Sequence, residues 1–524
     1  MNPANLTGPA SKAAGAAEAD GRHDKHFCTQ HLLTNLGGRA ISGGFVTAVA
    51  QAIKFALYML STVILARLLS KEDFGLVAMV GTLTSFLRMF REAGLSTATV
   101  QQREITHAQV SNLFWINVLL GLVAAVCGAA LSPAMAWFYR DSRLVLITII
   151  LSSTFLLSGS AVQHLALLNR QMRFKAMACV DIGSMTLGLI IGVGMAWAGC
   201  GYWSLVGSQL GMSLGELALA WLLSGWRPQF YKAGVGTRSM IHFGASLTVS
   251  TLFRRVSSSM DSILIGRFYG AGPLGLYTRG MALLLRPLDQ FLMPFDMVFI
   301  PVLSRLQDQP ERYRRTFLQV YDALVLASFL LAGLFLGLAR PLVLALLGPR
   351  WQEVVPIFAA LSIATIYYAA AGASLWLLTT QGRNRDILWT GFIISFVSVA
   401  SYAVGLKYGI TGVALAFSLG GLLVRLPAQY YIVGRSGPVR TSDLWRVLLR
   451  QSPVWAVAFG AAYGTSVAAA KMAPILQLCI GVPVTLAAGL ILILLLPHQR
   501  QTAQRVVREV AGFLSKMIKQ DPAQ

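Results

Sequence analysis

The chain has 524 residues, 55% of them apolar and only 12% charged, against about 25% charged in an ordinary soluble domain. That balance excludes a soluble globular protein, a disordered chain and a small disulfide scaffold. The 43 Lys and Arg against 21 Asp and Glu give a formal charge of +22, which in so apolar a chain is tested against membrane topology before nucleic acid is invoked.

Residues 1–42, with Ala, Gly and Ser prominent from Pro9 to Ala17, are expected to form a flexible cytoplasmic tail without a removable signal peptide. Apolar runs bounded by charge, Gly or Pro then predict fourteen membrane-spanning helices. The first seven lie at 43–66, 74–90, 113–134, 144–165, 176–198, 203–223 and 243–266. The second seven lie at 276–302, 317–339, 356–378, 387–406, 410–432, 451–470 and 474–496. Over 500–519, Val506, Val510, Phe513, Leu514 and Met517 fall on one helical stripe, which predicts an amphipathic helix on the anionic inner leaflet; a solvated tail is the plain alternative.

Basic residues test the count, because loops retained in the cytoplasm carry the excess of Lys and Arg. With both termini inside, the inner segments hold 27 of the 43, the outer loops 9 and the spans 7. The positive balance is thereby mostly a topology signal, and no nucleic-acid partner is expected. Cys28, Cys127, Cys179, Cys200 and Cys479 show no CxxC spacing and the seven His residues no HxxxH cluster, so no metal, disulfide or cofactor is expected.

An internal repeat emerges at an offset of 200, where VILARLLSKEDFGL (63–76) aligns with ILIGRFYGAGPLGL (263–276) and Arg67, Gly75 and Leu76 recur as Arg267, Gly275 and Leu276. Further on, Gly199 and Leu205 match Gly409 and Leu415 at an offset of 210. An even step of six helices gives both copies the same orientation, as in transporters whose site lies between two parallel halves. The expected architecture is all-α and polytopic, with six-helix bundles at 43–223 and 243–432 around a central cavity and an additional helix pair at 451–496.

Thirteen charges fall inside the predicted spans: Lys54, Arg88, Arg254, Arg255, Arg279, Arg286, Arg425, Asp181, Glu216, Asp261, Asp289, Asp296 and Asp322. At roughly 2.5–3.5 kcal/mol each at a helix centre, a lipid-facing set of this size would exceed any ordinary stability, so most must face one another or a wet cavity. Lys54, Arg88, Arg254, Arg255, Arg286 and Arg425 are candidate contacts for an anionic cargo. Asp261, Asp289 and Glu216 are candidates for coupling to an H⁺ or Na⁺ gradient. For each, pairing with a neighbour is the alternative: Asp261 with Arg254 or Arg255, Arg286 with Asp289 three residues on, Glu216 with Arg425. In RPLDQFLMPFDMVFIP, Asp289 and Asp296 lie two turns apart on one face, about 10.5 Å along the axis, while Pro287, Pro294 and Pro301 are expected to bend the helix.

ILARLLSKEDFGLVAM, FREAGLSTATVQQREIT, LNRQMRFKAMACVDIG, GYWSLVGSQL, DSILIGRFYGAGPLGLYTRGMALLLRPLDQ and IPVLSRLQDQPERYRR resemble blocks of polysaccharide-export flippases of the multidrug/oligosaccharidyl-lipid/polysaccharide superfamily, from about residue 40 to 430. The resemblance implies a V-shaped cavity between two six-helix bundles. It also implies transfer of a polyprenyl-diphosphate-linked oligosaccharide from the inner to the outer leaflet of the bacterial cytoplasmic membrane, for lipopolysaccharide or exopolysaccharide synthesis. Membrane lipids, a polysaccharide polymerase and export machinery would be the further partners. The arginines at 254 and 255 depart from the usual pattern. No covalent step is needed and no GxxxxGKT loop is present, so an enzyme is not expected. The alternatives are a drug/cation antiporter of the same superfamily and a membrane-embedded glycosyltransferase or polymerase.

Overall fold

The computed structural model describes residues 27, 36–91, 96, 99–100, 102, 105–232 and 259–504, which form helices joined by turns and short loops, with no strand among them. The chain divides into two compact units, Met1–Val256 and Ser257–Gln524.

In the first unit α1 spans Leu36–Leu68, α2 Lys71–Arg91, α3 His107–Tyr139, α4 Arg143–Arg170, α5 Phe174–Trp197 and α6 Trp203–Ser224. Thus α1 starts ahead of the expected boundary at 43. Short connections make α3/α4 and α5/α6 antiparallel hairpins, and both close on small residues. A Cβ on Gly121 would stand 2.6 Å from the Phe155 carbonyl of α4, and one on Gly159 2.7 Å from the Asn117 carbonyl of α3. Gly188 and Gly192 approach Ser208 of α6 equally closely. This is the small-residue packing that lets apolar helices associate where lipid removes the hydrophobic drive between them. Helix α3 opens on a capping box, Thr106 accepting from Gln109 N–H while the Gln109 side chain accepts from Thr106 N–H.

In the second unit a helical stretch over 259–269, α7, is followed by α8 (Ala271–Ser304), α9 (Pro310–Gly337), α10 (Ala339–Leu347), α11 (Val354–Ser362) and α12 (Thr365–Thr380). Then come α13 (Asn384–Gly405), α14 (Gly409–Gly420), α15 (Leu426–Gly434), α16 (Thr441–Ala468) and α17 (Pro474–Leu495). Gly421–Arg425, between α14 and α15, is a π-helical segment. The core of this unit gathers α9, α12, α15 and α16, with Tyr321 donating to or accepting from Tyr430 at its centre.

The repeat read in the sequence reappears as local geometry within each unit. Helix α1 breaks at 69–70 and α7 at 270, the offset of 200. Gly199 and Gly409, at the α5/α6 and α13/α14 connections, both adopt the left-handed region with φ of 76° and 78°. Arg173 and Arg383 stand before α5 and α13 with the same φ of −81° and ψ of 60°.

The exterior is apolar as a soluble protein's is not. Leu222, Phe392 and Phe396 are 74%, 63% and 66% exposed, while a few polar residues such as Asn117, Gln163 and Gln451 are fully buried within a largely apolar core. Such an apolar exterior is stable only in hydrocarbon, so this is a multi-pass membrane protein. Among the described residues eight helices are long and apolar enough to cross a membrane, or nine if α11 and α12 form one broken span. One of the eight is the 51-residue stretch Asn384–Gly434, which holds two of the expected spans. Helices α2, α8 and α16 do not meet that criterion, and in α8 the charges Arg279, Arg286, Asp289 and Asp296 are the reason its apolarity is diluted.

The helix carrying Pro287, Pro294 and Pro301, α8, is continuous from Ala271 to Ser304. The interruptions fall at the 44° bend between α11 and α12 and at the π-helical Gly421–Arg425. Of the expected helix at 500–519, 500–504 is helical and the remainder lies outside the described residues, as do residues 1–26 of the tail and most of the span 243–266.

Candidate functional site

In the first unit two of the intramembrane charges meet. Lys54, near the middle of α1, donates from Nζ to Asp181 Oδ2 of α5 at 2.7 Å, and the two side chains are 27% and 49% exposed. A pair this accessible cannot face hydrocarbon, so this side of α1 and α5 borders a polar space. Glu216 is half-buried on α6, and Arg88 lies on α2 with its side chain outside the described atoms. Arg254 and Arg255 also lie outside the described residues, so the pairing of Asp261 with them is not decided.

The same unit holds polar residues that motif reading passed over. Buried His164 shares a 2.8 Å hydrogen bond between Nδ1 and Ser224 Oγ and sits among Phe114, Trp221 and Trp226. Arg170, counted in the sequence as a loop cation, is buried and donates to the carbonyls of Thr99, Val100 and Gln102. Asn112 exchanges two hydrogen bonds with the Lys232 backbone, at 2.6 and 2.9 Å, tying the segment after α6 back to α3. These groups satisfy buried backbone that lipid cannot solvate.

In the second unit Asp289 and Asp296 do share one face of α8, and both are exposed. Each is held from α12: Tyr368 OH donates to Asp289 Oδ1 at 2.7 Å and Trp376 Nε1 to Asp296 Oδ1 at 2.6 Å. Phe295, Phe299 and Trp376 stack in series beside them. Arg286, also exposed, occupies the preceding turn. The result is a strip of carboxylates and aromatic rings, the surface chemistry that suits sugars and cations alike.

Asp261, on α7, is 95% buried and accepts the Ser262 N–H at 2.6 Å. Tyr277 and Tyr402 are its electrostatic neighbours, and Tyr402 and Tyr367 are those of Arg425. Arg425 is buried at the end of the π-helical segment. It donates to Ser398 Oγ at 3.0 Å, to the Phe417 carbonyl at 2.9 Å and to the Tyr367 hydroxyl, with its guanidinium 4.4 Å from the Phe417 ring centre. Sequence alone offered Arg425 as a cargo contact or a partner of Glu216. Its environment is that of a guanidinium holding two irregular helices together, since Tyr367 lies just past the α11/α12 bend.

Asp322 also acquires partners far along the chain. It accepts from Gln451 Nε2 at 2.7 Å and from Thr502 Oγ1, and His498 Nε2 lies 3.2 Å away. At the ends of the spans, Asp386 is bracketed by Arg383 and Arg435, and Arg383 also donates to the carbonyls of Ile432, Val433 and Ser436 at the C-terminus of α15. Arg143 grips Asp141, whose carboxyl is thereby held below the usual carboxylate range. Among the described residues no three His, Cys, Asp or Glu converge as metal ligands.

The chain is 25% identical over 447 residues to the teichuronic acid biosynthesis protein TuaB of Bacillus subtilis, covering 83% of this chain and 90% of that one. It is 22% identical to the lipopolysaccharide biosynthesis protein WzxC of Escherichia coli, with coverage of 75% and 80%, and 25% identical to the succinoglycan biosynthesis transport protein ExoT of Rhizobium meliloti, with coverage of 67% and 71%. In fold it is similar to the lipid II flippase MurJ in an inward closed conformation, with a TM-score of 0.64 at 15% identity, covering 86% of this chain and 98% of that one. An inward-facing multidrug transporter of the MATE family gives a TM-score of 0.56 at 15% identity, with coverage of 76% and 99%. Residues 64–356, more than half of the sequence, match the polysaccharide biosynthesis protein family, and the chain belongs to that family.

Proposed function

We propose that the protein is a flippase, moving a polyprenyl-diphosphate-linked oligosaccharide unit from the inner to the outer leaflet of the bacterial cytoplasmic membrane by alternating access. The observation that carries this reading is the agreement between family membership over 64–356 and a fold shared with a lipid II flippase. The names of the relatives, which concern teichuronic acid, lipopolysaccharide and succinoglycan, support a cargo destined for surface or exopolysaccharide synthesis. Translocation breaks no covalent bond, so the protein acts by binding and conformational change and is no enzyme.

In this reading fourteen spans leave both termini in the cytoplasm, two six-helix halves at 43–223 and 243–432 flank a cleft, and the pair at 451–496 stands outside them. The prenyl tail remains in the bilayer while the diphosphate and sugars cross through the hydrated cleft. Lys54, Arg88, Arg254, Arg255 and Arg286 attract the diphosphate. The exposed Asp289 and Asp296, with Tyr368 and Trp376, line the sugar path. Asp261 couples the cycle to H⁺ or Na⁺, and Glu216 is its secondary candidate. Arg425 is supported as a positioning residue by its burial and its contacts across the bend and the π segment. The flipped unit then passes to a polymerase and export machinery.

The deciding experiment is reconstitution into vesicles, with outer-leaflet appearance of a lipid-linked oligosaccharide followed with and without an imposed ion gradient. Gradient-accelerated appearance of the lipid is expected. Transport of a soluble cationic drug with no movement of the lipid would overturn the reading in favour of an antiporter.

A further inference from the structure

The second unit contains a cavity of about 700 Å³ that the translocation reading does not use. It lies between the first turns of α9 and α16, with His498 from the stretch after α17 as a third wall. Four arginines line it, Arg314 and Arg315 from α9 and Arg446 and Arg450 from α16. The last two are four residues apart and share one helix face, where like charges repel.

The acids that line the cavity do not balance them. Asp443 is engaged by Arg314 in a two-pronged contact, at 2.7 and 3.0 Å. Asp322 is enclosed by Gln451, Thr502 and His498, and Glu311 is an exposed side chain on the first turn of α9. Among the described residues, Arg315, Arg446 and Arg450 form no ion pair. With Asp443 taken up by Arg314, the lining keeps three guanidinium groups, none in a direct ion pair, against Asp322 and Glu311. This positive rim around a void makes a site for an anion with several oxygens, and phosphate suits the guanidinium fork.

Depth in the membrane indicates which phosphate. The charged turns PERYRR (310–315) and TSDLWR (441–446) lead directly into apolar spans, and Leu318 and Val447 continue the cavity wall on the apolar side. That level is where phospholipid head groups lie, and basic pockets between helices at the cytoplasmic surface are sites for anionic lipid. We infer that this cavity binds the phosphate of an anionic phospholipid of the inner leaflet, gripped by Arg315, Arg446 and Arg450. The Asp322–His498–Thr502 contacts make residues 497–504 the wall that completes it.

The test uses the full-length protein, stripped of lipid in neutral detergent and titrated with phosphatidylglycerol, phosphatidylcholine or inorganic phosphate. Retained lipid is counted by native mass spectrometry and binding is followed by thermal stabilisation. Phosphatidylglycerol is expected to bind at least about tenfold more tightly than phosphatidylcholine, more weakly at high salt. The double variant Arg446→Gln/Arg450→Gln should lose that preference. The double Arg→Lys variant should retain part of it, and Lys407→Gln, removing one exposed charge elsewhere, should leave it intact. Arg315→Gln, at a single exposed side chain, gives the same reading if the double variant does not fold. Equal affinity for the two lipids, an unchanged preference in the Gln variants, or saturation by inorganic phosphate at the same concentration would overturn the inference. Binding in detergent requires no flipping, so this outcome is independent of the translocation assay.

Discussion

Lys54 and Arg425 carry the same charge and meet opposite environments. Lys54 shares a half-exposed ion pair, in which partial solvation limits the contribution to about 1 kcal/mol or less. Arg425 is buried, and replacing it by Ala removes its hydrogen bonds to the Ser398 hydroxyl, the Tyr367 hydroxyl and the Phe417 carbonyl. Hydrogen bonds to a charged group contribute about 1.5–3 kcal/mol each, so Arg425→Ala is expected to cost roughly 3 kcal/mol or more. A lowered unfolding temperature in detergent, against a small change in Lys54→Ala, checks the contrast. Asp261 is buried and accepts the Ser262 N–H, and the coupling proposed for it requires an ionisable carboxyl. Asp261→Asn should leave the protein folded and remove the dependence of flipping on the gradient; unchanged dependence would exclude it as the coupling residue. Outside the spans, the hydrogen bond from Arg314 holds the Asp443 carboxyl below the usual carboxylate range. A group whose folded pKa is depressed contributes stability that is present above its unfolded value of about 3.9 and is lost as the pH falls through the folded value. Acid unfolding below about pH 4 should therefore be less steep in Asp443→Asn, by less than about 1 kcal/mol because Arg314 is half-exposed.

Helix packing depends on small residues whose spacing was present in the sequence without marking a function. Gly333 and Gly337 of α9 face Ala458 and Ala462 of α16, each pair one turn apart, and a Cβ on Gly333 would stand 2.7 Å from both Ala458 Cβ and the Phe459 nitrogen. Gly333→Val must separate the helices, and overpacking of this kind costs about 1–3 kcal/mol. Because α16 carries Gln451, a partner of Asp322, and the Arg446 and Arg450 wall of the cavity, the same variant should also weaken retention of phosphatidylglycerol. Native mass spectrometry and thermal unfolding on one preparation check both effects. The contrast with α8 explains why element irregularity was hard to read. Three prolines stand in α8 and the helix runs unbroken, whereas the π segment leads directly into Pro427 and the α11/α12 bend carries no proline at its break. A missing hydrogen bond marks where a helix can yield, and packing decides where it does. Tyr367 and Arg425 hold those two irregular places together, a contact between residues 58 positions apart that no local pattern reveals.

For the whole molecule, the proposed topology has the C-terminus inside, so a reporter fused after Gln524 should be active only if it functions in the cytoplasm; activity of a periplasmic reporter at that position would reverse the orientation. Helical membrane class, family and the internal repeat were all legible in the chain itself. The free energy of moving a run of about 20 apolar residues into lipid depends on that run and its flanks, not on distant neighbours. The repeat was legible for a related reason, because glycines such as Gly199 and Gly409 occupy left-handed turns that side chains resist. The fate of the intramembrane charges was not legible, because it depends on partners far along the chain: Lys54 meets Asp181 across 127 positions and Asp322 meets Thr502 across 180. Composition required that those charges avoid lipid. Only the tertiary structure decided which of them meet, as Lys54 and Asp181 do, and which are held by neutral groups far along the chain, as Arg425 is by Tyr367 and Ser398, because those contacts form only when distant helices pack.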